Sequence, residues 1–243
     1  MKTNSISARS NIEIHAAAPR RAFLKNCALA GTGLAPALRG NAAEPTMPAA
    51  TDIWEIFRAR RSVRKFKSDP VPEADIRKIL DAARLAATSG NQQPWKFLVI
   101  RDPAKIEAMR AATVERSLNQ ASGTIDEKKK QMVEQRVSGY FSAPVYIVVL
   151  TDNQSQYVAY NHWDGPLAAG NLMLAARALG YGTVFISDSI VDEITKSVLK
   201  IPDRYTRVCI TPIGVPVAWP PPPAKKPLDA FIAWETLTTD ASS

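Results

Sequence analysis

The spacing of apolar residues beyond position 51 predicts two helices at the start of the main body of the chain. Ile53, Ile56 and Phe57 recur at helical spacing, and Thr51 or Asp52 before them can cap a helix N-terminus. A second helix is expected to begin at Pro72, because proline is favoured in the first helical turn. Its apolar face would consist of Ile76, Ile79, Leu80 and Ala83.

Four short apolar or β-branched runs further along predict strands, at residues 97–100, 145–150, 183–186 and 208–213. A long charged stretch at residues 115–139 and an apolar helix around residues 165–180 lie between them. The helix is expected to be part of the core. The proline run at residues 220–223 should form a stiff, extended connector to a C-terminal arm that carries Phe231, Ile232 and Trp234.

The first 43 residues differ in kind from the rest. Arg20 and Arg21 precede Phe23-Leu24-Lys25, an apolar run over residues 27–38 and then small residues, an order that resembles a twin-arginine export signal. A disordered basic tail and a mitochondrial transit peptide are the alternative interpretations. The apolar run is too short to span a bilayer permanently.

Cleavage near Ala42 or Ala43 would divide the chain into a leader at residues 1–43 and one domain at residues 44–243. The expected location is then the periplasm, without a stable membrane anchor. Twin-arginine export carries folded proteins, often with a cofactor already inserted. We therefore expect the domain to fold, and to take up any cofactor, before transport.

The distribution of charge weakens a nucleic-acid-binding function. The net charge is +8, but residues 1–43 contain six Lys or Arg and one Glu, a net of +5. The remaining +3 is too small for a broad nucleic-acid footprint, so no nucleic-acid partner is expected.

The counts of cysteine and histidine exclude several chemistries. Cys27 falls in the leader, so only Cys209 would remain and no disulfide could form within the domain. His162 would be the only histidine, which leaves no ligands for a His/Cys zinc site and no evident Ser/His/Asp triad. His162 itself is expected at a helix start or on the surface.

A cluster of cations occupies residues 57–70, where Arg58, Arg60, Arg61, Arg64, Lys65 and Lys67 surround Ser62, Val63 and Phe66. Such a run often marks a solvated surface or a nucleic-acid-binding face. Val63 and Phe66, however, can anchor the segment in a core, and arginines held in fixed directions suit a discrete phosphate. Both interpretations remain open on the residues alone.

Three landmarks in order resemble the flavin-dependent nitroreductase family: "RRSVRKF", then "AATSGNQQPWKFLVI", then "NLMLAARALGYGTVFIS" followed by "IGVP" and "KKPL". The resemblance covers nearly all of residues 52–236. It implies an α+β fold, with a mixed, mainly antiparallel sheet flanked by helices. It also implies a homodimer that binds FMN at its interface and exchanges C-terminal arms.

The same resemblance implies the cofactor-binding residues. Arg60, Arg61, Ser62 and Arg64 would form the FMN-binding segment. Arg60 and Ser62 would face the phosphate, and Arg64 would reach the ribityl chain and the pyrimidine edge of the flavin. Thr88, Ser89 and Asn91 would be offered by the neighbouring subunit, and the backbone of Ile186 and Ser187 would contact flavin N5. Lys225 and Lys226 match a late basic pair that completes the phosphate site. No catalytic side chain and no metal are expected, and Gly90 should lie in a left-handed turn.

The resemblance implies ping-pong electron transfer through flavin N5 to a nitroaromatic, quinone or similar acceptor, with a small-molecule donor such as NAD(P)H. Export would remove the protein from the cytoplasmic NAD(P)H pool, so a quinol or a redox partner is an alternative donor. Alternative functions are reductive dehalogenation, flavin fragmentation and non-catalytic flavin binding.

Overall fold

The computed structural model describes residues 52–121, 123–187 and 189–237. Thr51 and the segment interpreted as a twin-arginine leader lie outside these residues. The described part of the chain contains six α-helices: α1 Ile53–Ala59, α2 Glu73–Arg84, α3 Pro103–Asn119, α4 Glu127–Tyr140, α5 Asn161–Ala178 and α6 Ser189–Leu199.

Both helices predicted at the start of the domain are present. Asp52 caps α1 by accepting a hydrogen bond from the Trp54 N–H at 3.0 Å. Pro72 is the N-cap of α2, and the predicted apolar face is buried at Ile76, Ile79 and Ala83. The apolar periodicity of this region was therefore sufficient to place both helices.

The sheet is antiparallel and contains three named strands, β1 Trp95–Ile100, β2 Val145–Asp152 and β3 Tyr205–Ile213. The order is β1-β2-β3, and β2 pairs with both neighbours. Three of the four predicted strands are thus confirmed. Among the described residues, the parallel pairing is an isolated bridge between Ser62 and Thr183.

The prediction of a regular strand at residues 183–186 is wrong. Thr183 bridges to Ser62, whereas Ile186 bridges to Ile210 of β3, so the two ends of the segment pair with different parts of the chain. Residues 183–186 therefore cannot form a continuous ladder of hydrogen bonds with a single neighbouring strand. The β-branched residues are nevertheless buried at Thr183 and Val184.

The central strand β2 is buried on both faces, because two cores lie on opposite sides of the sheet. Val145, Ile147 and Val149 pack with residues of α2 and α5. The alternate residues Tyr146, Val148 and Leu150 pack with a second cluster that includes Val63, Phe66, Met109 and Ile210. This alternation is the period-2 pattern of a strand between two apolar layers.

The predicted apolar helix is α5, and its core role is confirmed by burial of Ala169, Leu172 and Ala176. Its second residue, His162, is exposed at the helix start as expected. The charged stretch predicted at residues 115–139 forms the end of α3 and most of α4.

The C-terminal segment from residue 220 lacks regular structure except for a short 3-10 turn at Leu228–Phe231. The arm leaves Leu228, Phe231 and Trp234 between 70% and 77% exposed. The described part of the chain contains no helix with the length and apolarity needed to cross a bilayer.

Candidate functional site

Backbone hydrogen bonds to two other parts of the chain fix the basic segment, residues 58–67. The Val63 N–H donates to the Thr183 carbonyl at 2.9 Å, and the Lys67 N–H donates to the Val215 carbonyl at 2.8 Å. Val63 is 1% exposed and Phe66 6% exposed. The cations of this segment therefore project from an anchored backbone and not from a free surface loop.

Two glycines permit this close packing. A Cβ on Gly182 would lie 2.8 Å from the Cβ of Val63, and one on Gly214 would lie 2.9 Å from Cδ of Pro144 and 3.2 Å from Cδ1 of Phe66. The two contacts under 3.0 Å require the neighbouring atoms to shift, and both Cβ of Val63 and Cδ of Pro144 are bonded directly to the backbone. Gly182 and Gly214 are thus needed where the basic segment meets the rest of the fold.

The cations of the basic segment differ in what they contact. The Arg61 guanidinium donates to the carbonyls of Arg58 at 2.5 Å and Arg60 at 2.8 Å, so it closes the C-terminal end of α1. Arg64 makes one long hydrogen bond, 3.4 Å, to the Ser62 carbonyl. Arg60 and Ser62 are half-buried, and the side chains of Arg58, Lys65 and Lys67 are exposed.

A cavity of about 430 Å³ adjoins the basic segment. One wall contains Arg64, residues 184–187, Tyr146 and Ile210, and the other comes from α3 and α4. The α3/α4 wall consists of Thr113, Ser117, Arg136, Val137 and Tyr140, with Phe141 just after α4. The structure thus brings together three of the predicted site residues, Arg64, Ile186 and Ser187.

The cavity is mostly apolar and aromatic, and its charged lining residues, Arg64 and Arg136, are both cations. Tyr146 contributes its ring, because its hydroxyl donates to the Tyr140 carbonyl at 2.9 Å and accepts from the Ala143 N–H at 3.1 Å. Burial raises the pKa of Tyr146 well above its usual range, so this phenol stays neutral. The cavity suits a planar ligand with negative charge at its edge.

The predicted backbone contacts at the cavity differ between Ile186 and Ser187. Ile186 exchanges both of its backbone hydrogen bonds with Ile210, at 3.1 and 3.0 Å, and its carbonyl also accepts from Arg207 at 2.9 Å. The Ser187 N–H donates to no described residue. Of the two, Ile186 therefore has its N–H bound within the fold, and Ser187 remains the candidate for the predicted contact.

The loop that carries Thr88, Ser89 and Asn91 is strained and tightly held. Gly90 has φ +57°, as the sequence predicted, and Asn91 and Gln93 also have positive φ, at 55° and 47°. Such conformations cost free energy and persist only where the surroundings impose them. Thr88 and Ser89 are half-buried, and Asn91 is exposed.

Asp164 at the start of α5 supplies much of that restraint. It is 2% exposed, and its carboxyl oxygens accept from the Ser89 N–H at 3.2 Å and from Gln92 Nε2 at 2.7 Å. Gln92 Nε2 also donates to the Tyr157 carbonyl at 3.1 Å, and Gln92 Oε1 accepts from the Tyr157 N–H at 2.7 Å. Sequence reasoning missed Asp164 and Gln92, because neither residue type nor spacing links positions so far apart.

A comparison with protein-family models decides the classification. The model of the nitroreductase family matches residues 57–215, which is more than half of the chain. The chain belongs to the nitroreductase family. A putative NADH dehydrogenase/NAD(P)H nitroreductase from Archaeoglobus fulgidus is 32% identical over 171 residues, covering 68% of this chain and 86% of that protein.

Solved structures of the nitroreductase family have the same fold. A putative nitroreductase from Desulfovibrio desulfuricans in complex with FMN gives a TM-score of 0.58 at 24% identity, covering 78% of this chain and all of that one. An oxidised iodotyrosine deiodinase bound to FMN and 3-iodo-L-tyrosine gives 0.64 at 22%, covering 76% and 100%. At these identities the likeness establishes the fold, with its helices and antiparallel sheet.

Within this nitroreductase-family fold, Arg60, Arg61 and Ser62 belong to the basic segment that the cavity adjoins, whereas the other predicted site residues do not line the cavity. Ser89, in the loop with Thr88 and Asn91, donates to Asp164 of α5, which packs on the first core. Tyr146 and Ile210 of the cavity belong to the second core. Lys225 and Lys226 are exposed in the C-terminal segment. Residues 52–237, apart from 122 and 188, contain no group of three or more His, Cys, Asp or Glu able to hold a metal ion.

Proposed function

We propose that this protein is an FMN-dependent oxidoreductase of nitroreductase type. One observation carries the proposal: an anchored segment of cations adjoins an aromatic-lined cavity, and Arg64 of that segment lines it. The first part of that arrangement suits the phosphate of a flavin mononucleotide, and the second suits its ring. FMN-bound structures of this fold support the same cofactor.

The residues of the basic segment fit a phosphate dianion. Arg60 and Ser62 are half-buried on a fixed backbone and can each donate to phosphate oxygens, while the exposed Lys225 and Lys226 are free to complete the site. The Arg61 guanidinium is engaged by carbonyls of α1, so its contribution is to orient the segment. No adenylate-binding loop occurs in the sequence, which favours FMN over FAD.

The cavity residues fit the flavin ring. Bound FMN would supply the redox chemistry by accepting a hydride at N5 from a donor and passing electrons to a nitroaromatic, quinone or similar acceptor. Arg64 would place positive charge at the pyrimidine edge, where negative charge grows on reduction. Ser187 would offer its backbone N–H, and the neutral Tyr146 would exclude water from one wall.

We also propose a homodimer in which the partner subunit supplies Thr88, Ser89 and Asn91. These residues and the cavity are associated with opposite faces of the sheet. The α1 side chains Ile53, Trp54 and Phe57 are 49% to 63% exposed, and Trp163 and Leu167 on the adjoining α5 are 57% and 51% exposed. Apolar patches of this kind suit a subunit interface, and the exposed C-terminal arm suits exchange between subunits.

The location that we propose is the periplasm, after twin-arginine export directed by Arg20 and Arg21. Because NAD(P)H is a cytoplasmic pool, a quinol or a redox protein would then be the donor in the cell. Stopped-flow bleaching of the flavin tests this point. Fast, saturable reduction at low NADPH would contradict a non-pyridine donor, and export that survives replacement of both arginines by lysine would contradict the signal.

Purification of the protein tests the cofactor and the phosphate site. We expect a yellow dimer that contains FMN, and Arg60→Ala or Ser62→Ala should weaken FMN binding by about one to two units of log Kd. Arg58→Ala is the matched control, because its exposed side chain should change the affinity little. Equal losses at Arg58 and Arg60 would favour a diffuse anion-binding surface, and a colourless protein that takes up no added FMN would refute the proposal.

Turnover separates an enzyme from a flavin carrier. Holoprotein reduced with dithionite should be reoxidised by a nitroaromatic or a quinone under anaerobic conditions faster than free reduced FMN is. A flavin that is bound yet reoxidised no faster than free FMN would indicate binding without catalysis.

A further inference from the structure

The α3/α4 wall of the cavity carries a cation that the proposed cofactor does not explain. Arg64 lies on the sheet wall with Ile186 and Ser187, the residues that fit the flavin ring, whereas Arg136 lies on the opposite wall. The residues that fit the phosphate, Arg60 and Ser62, do not line this cavity. Arg136, in α4, therefore belongs to a different element of the fold from the residues that would neutralise FMN.

Arg136 is also without a carboxylate partner among the described residues. Other arginines of these helices are paired, Arg110 with Glu107 at 2.6 Å and Arg116 with Glu193 at 2.7 Å. The helix positions three and four residues from Arg136 hold Met132, Val133, Gly139 and Tyr140, and none of these is acidic. Its guanidinium is left able to bind an anion.

The residues around Arg136 indicate the chemistry of the rest of such a ligand. Val137, Tyr140 and Phe141 beside it are apolar or aromatic, while Ser117 provides a hydroxyl. Ser117 and Arg136 also border a second cavity of about 410 Å³ between α3 and α4, so the first cavity can extend past the guanidinium. A flat apolar body with one terminal anion matches this wall.

We propose that the substrate of this protein is a small aromatic carboxylate, whose ring lies in the cavity and whose carboxylate is bound by Arg136. A guanidinium matches a carboxylate with two parallel hydrogen bonds, which a neutral amide of the same shape cannot reproduce. Arg136 is thus a specificity-determining residue and takes no part in electron transfer. This inference rests on the proposed flavoenzyme function.

Equilibrium titration of the oxidised FMN-loaded protein tests the inference without turnover. The flavin absorbance is followed while 4-nitrobenzoate, or its neutral isostere 4-nitrobenzamide, is added at fixed ionic strength. We expect the carboxylate to bind about tenfold or more tightly than the amide. Arg136→Ala should abolish that preference with little effect on the affinity for the amide, and Arg136→Lys should restore part of it.

Lys130→Ala is the matched control, because it removes one positive charge from an exposed position of α4 outside both cavities. It should leave the preference intact. Equal affinity of the unaltered protein for the two ligands, or an equal loss of preference in Lys130→Ala, would overturn the inference. So would a fall in FMN affinity in Arg136→Ala as large as that in Arg60→Ala, since Arg136 would then be a cofactor residue.

A protein that binds no FMN would refute the proposed function itself, whereas FMN-loaded protein without the preference for the carboxylate overturns this inference alone.

Discussion

Replacing Asp164 by asparagine removes one acceptor from a buried site while keeping the volume of the side chain. In the native protein, one carboxyl oxygen accepts from the Ser89 N–H and the other from Gln92 Nε2. An asparagine has a single side-chain oxygen, so its NH₂ group must face one of these two donors. Asp164→Asn therefore breaks one of these hydrogen bonds. It also leaves the donor of that bond without its partner beside a side chain that is only 2% exposed.

The expected cost follows from that geometry. A buried hydrogen bond to a carboxylate contributes about 1.5–3 kcal/mol, and stranding a donor costs a similar amount. Gln92 Nε2 keeps its bond to the Tyr157 carbonyl, which limits the loss. We expect the free energy of unfolding to fall by about 2–3 kcal/mol, which corresponds to a fall in Tm of roughly 5–10 °C for a domain of this size.

Urea unfolding of the apoprotein measures this loss, and fluorescence titration with FMN measures its effect on the loop. Because Ser89 lies in the loop expected to contact the flavin, FMN affinity should fall together with stability. Asp81→Asn is the matched control, since Asp81 pairs with Arg84 at 2.6 Å on an exposed helix surface, and its loss should cost less than about 1 kcal/mol. The reasoning would be refuted if the two variants lost equal stability, or if Asp164→Asn kept the FMN affinity of the unaltered protein.

Three further changes test other parts of the fold. Gly182→Ala should destabilise the protein by about 1–3 kcal/mol in thermal unfolding and weaken FMN binding, because its Cβ would collide with the basic segment. The control is Gly139→Ala, which has open space around it in α4 and should be neutral or stabilising by up to about 1 kcal/mol. Arg204 holds the pKa of Asp152 below its ordinary value of 3.8, so the pair contributes stability above that pH and loses it as pH falls. Arg204→Ala should therefore flatten the pH dependence of unfolding below about pH 4, and an unchanged acid limb would contradict the pairing. Burial raises the pKa of Cys209 to about 12, so with Cys27 changed to serine the native protein should resist Ellman's reagent until it unfolds.

Apolar periodicity was sufficient to locate the elements that pack in the same way along their whole length. The helix α2 has one buried stripe against one core, and β2 is apolar or aromatic over residues 145–150 because both of its faces are covered. The segment at residues 183–186 failed as a strand because its burial comes from two different partners, Ser62 and Ile210. A β-branched run reports that a segment is buried, and it carries no information about which chain segments it pairs with.

The candidate site was predictable only where it follows a local motif. Arg64, Ile186 and Ser187 meet at one cavity, and all three were expected from the family resemblance. Asp164 and Arg136 were not expected, since the role of each depends on residues distant in sequence. The contact from Asp164 to Ser89 spans 75 positions, and the role proposed for Arg136 depends on a cavity that α4 forms with Arg64 and residues 184–187.

The structure shows that the backbone of the basic segment is bound into the fold, which is what the phosphate-site interpretation of the sequence requires. The N–H groups of Val63 and Lys67 are bound to the Thr183 and Val215 carbonyls. Residues 183–187 then continue to the cavity, so the backbone that orients Ser62 at one end presents Ser187 at the other. A displacement of the basic segment must therefore disturb the cavity wall as well. This shared backbone explains why a change at Gly182, which carries no functional group, should reduce both stability and FMN affinity.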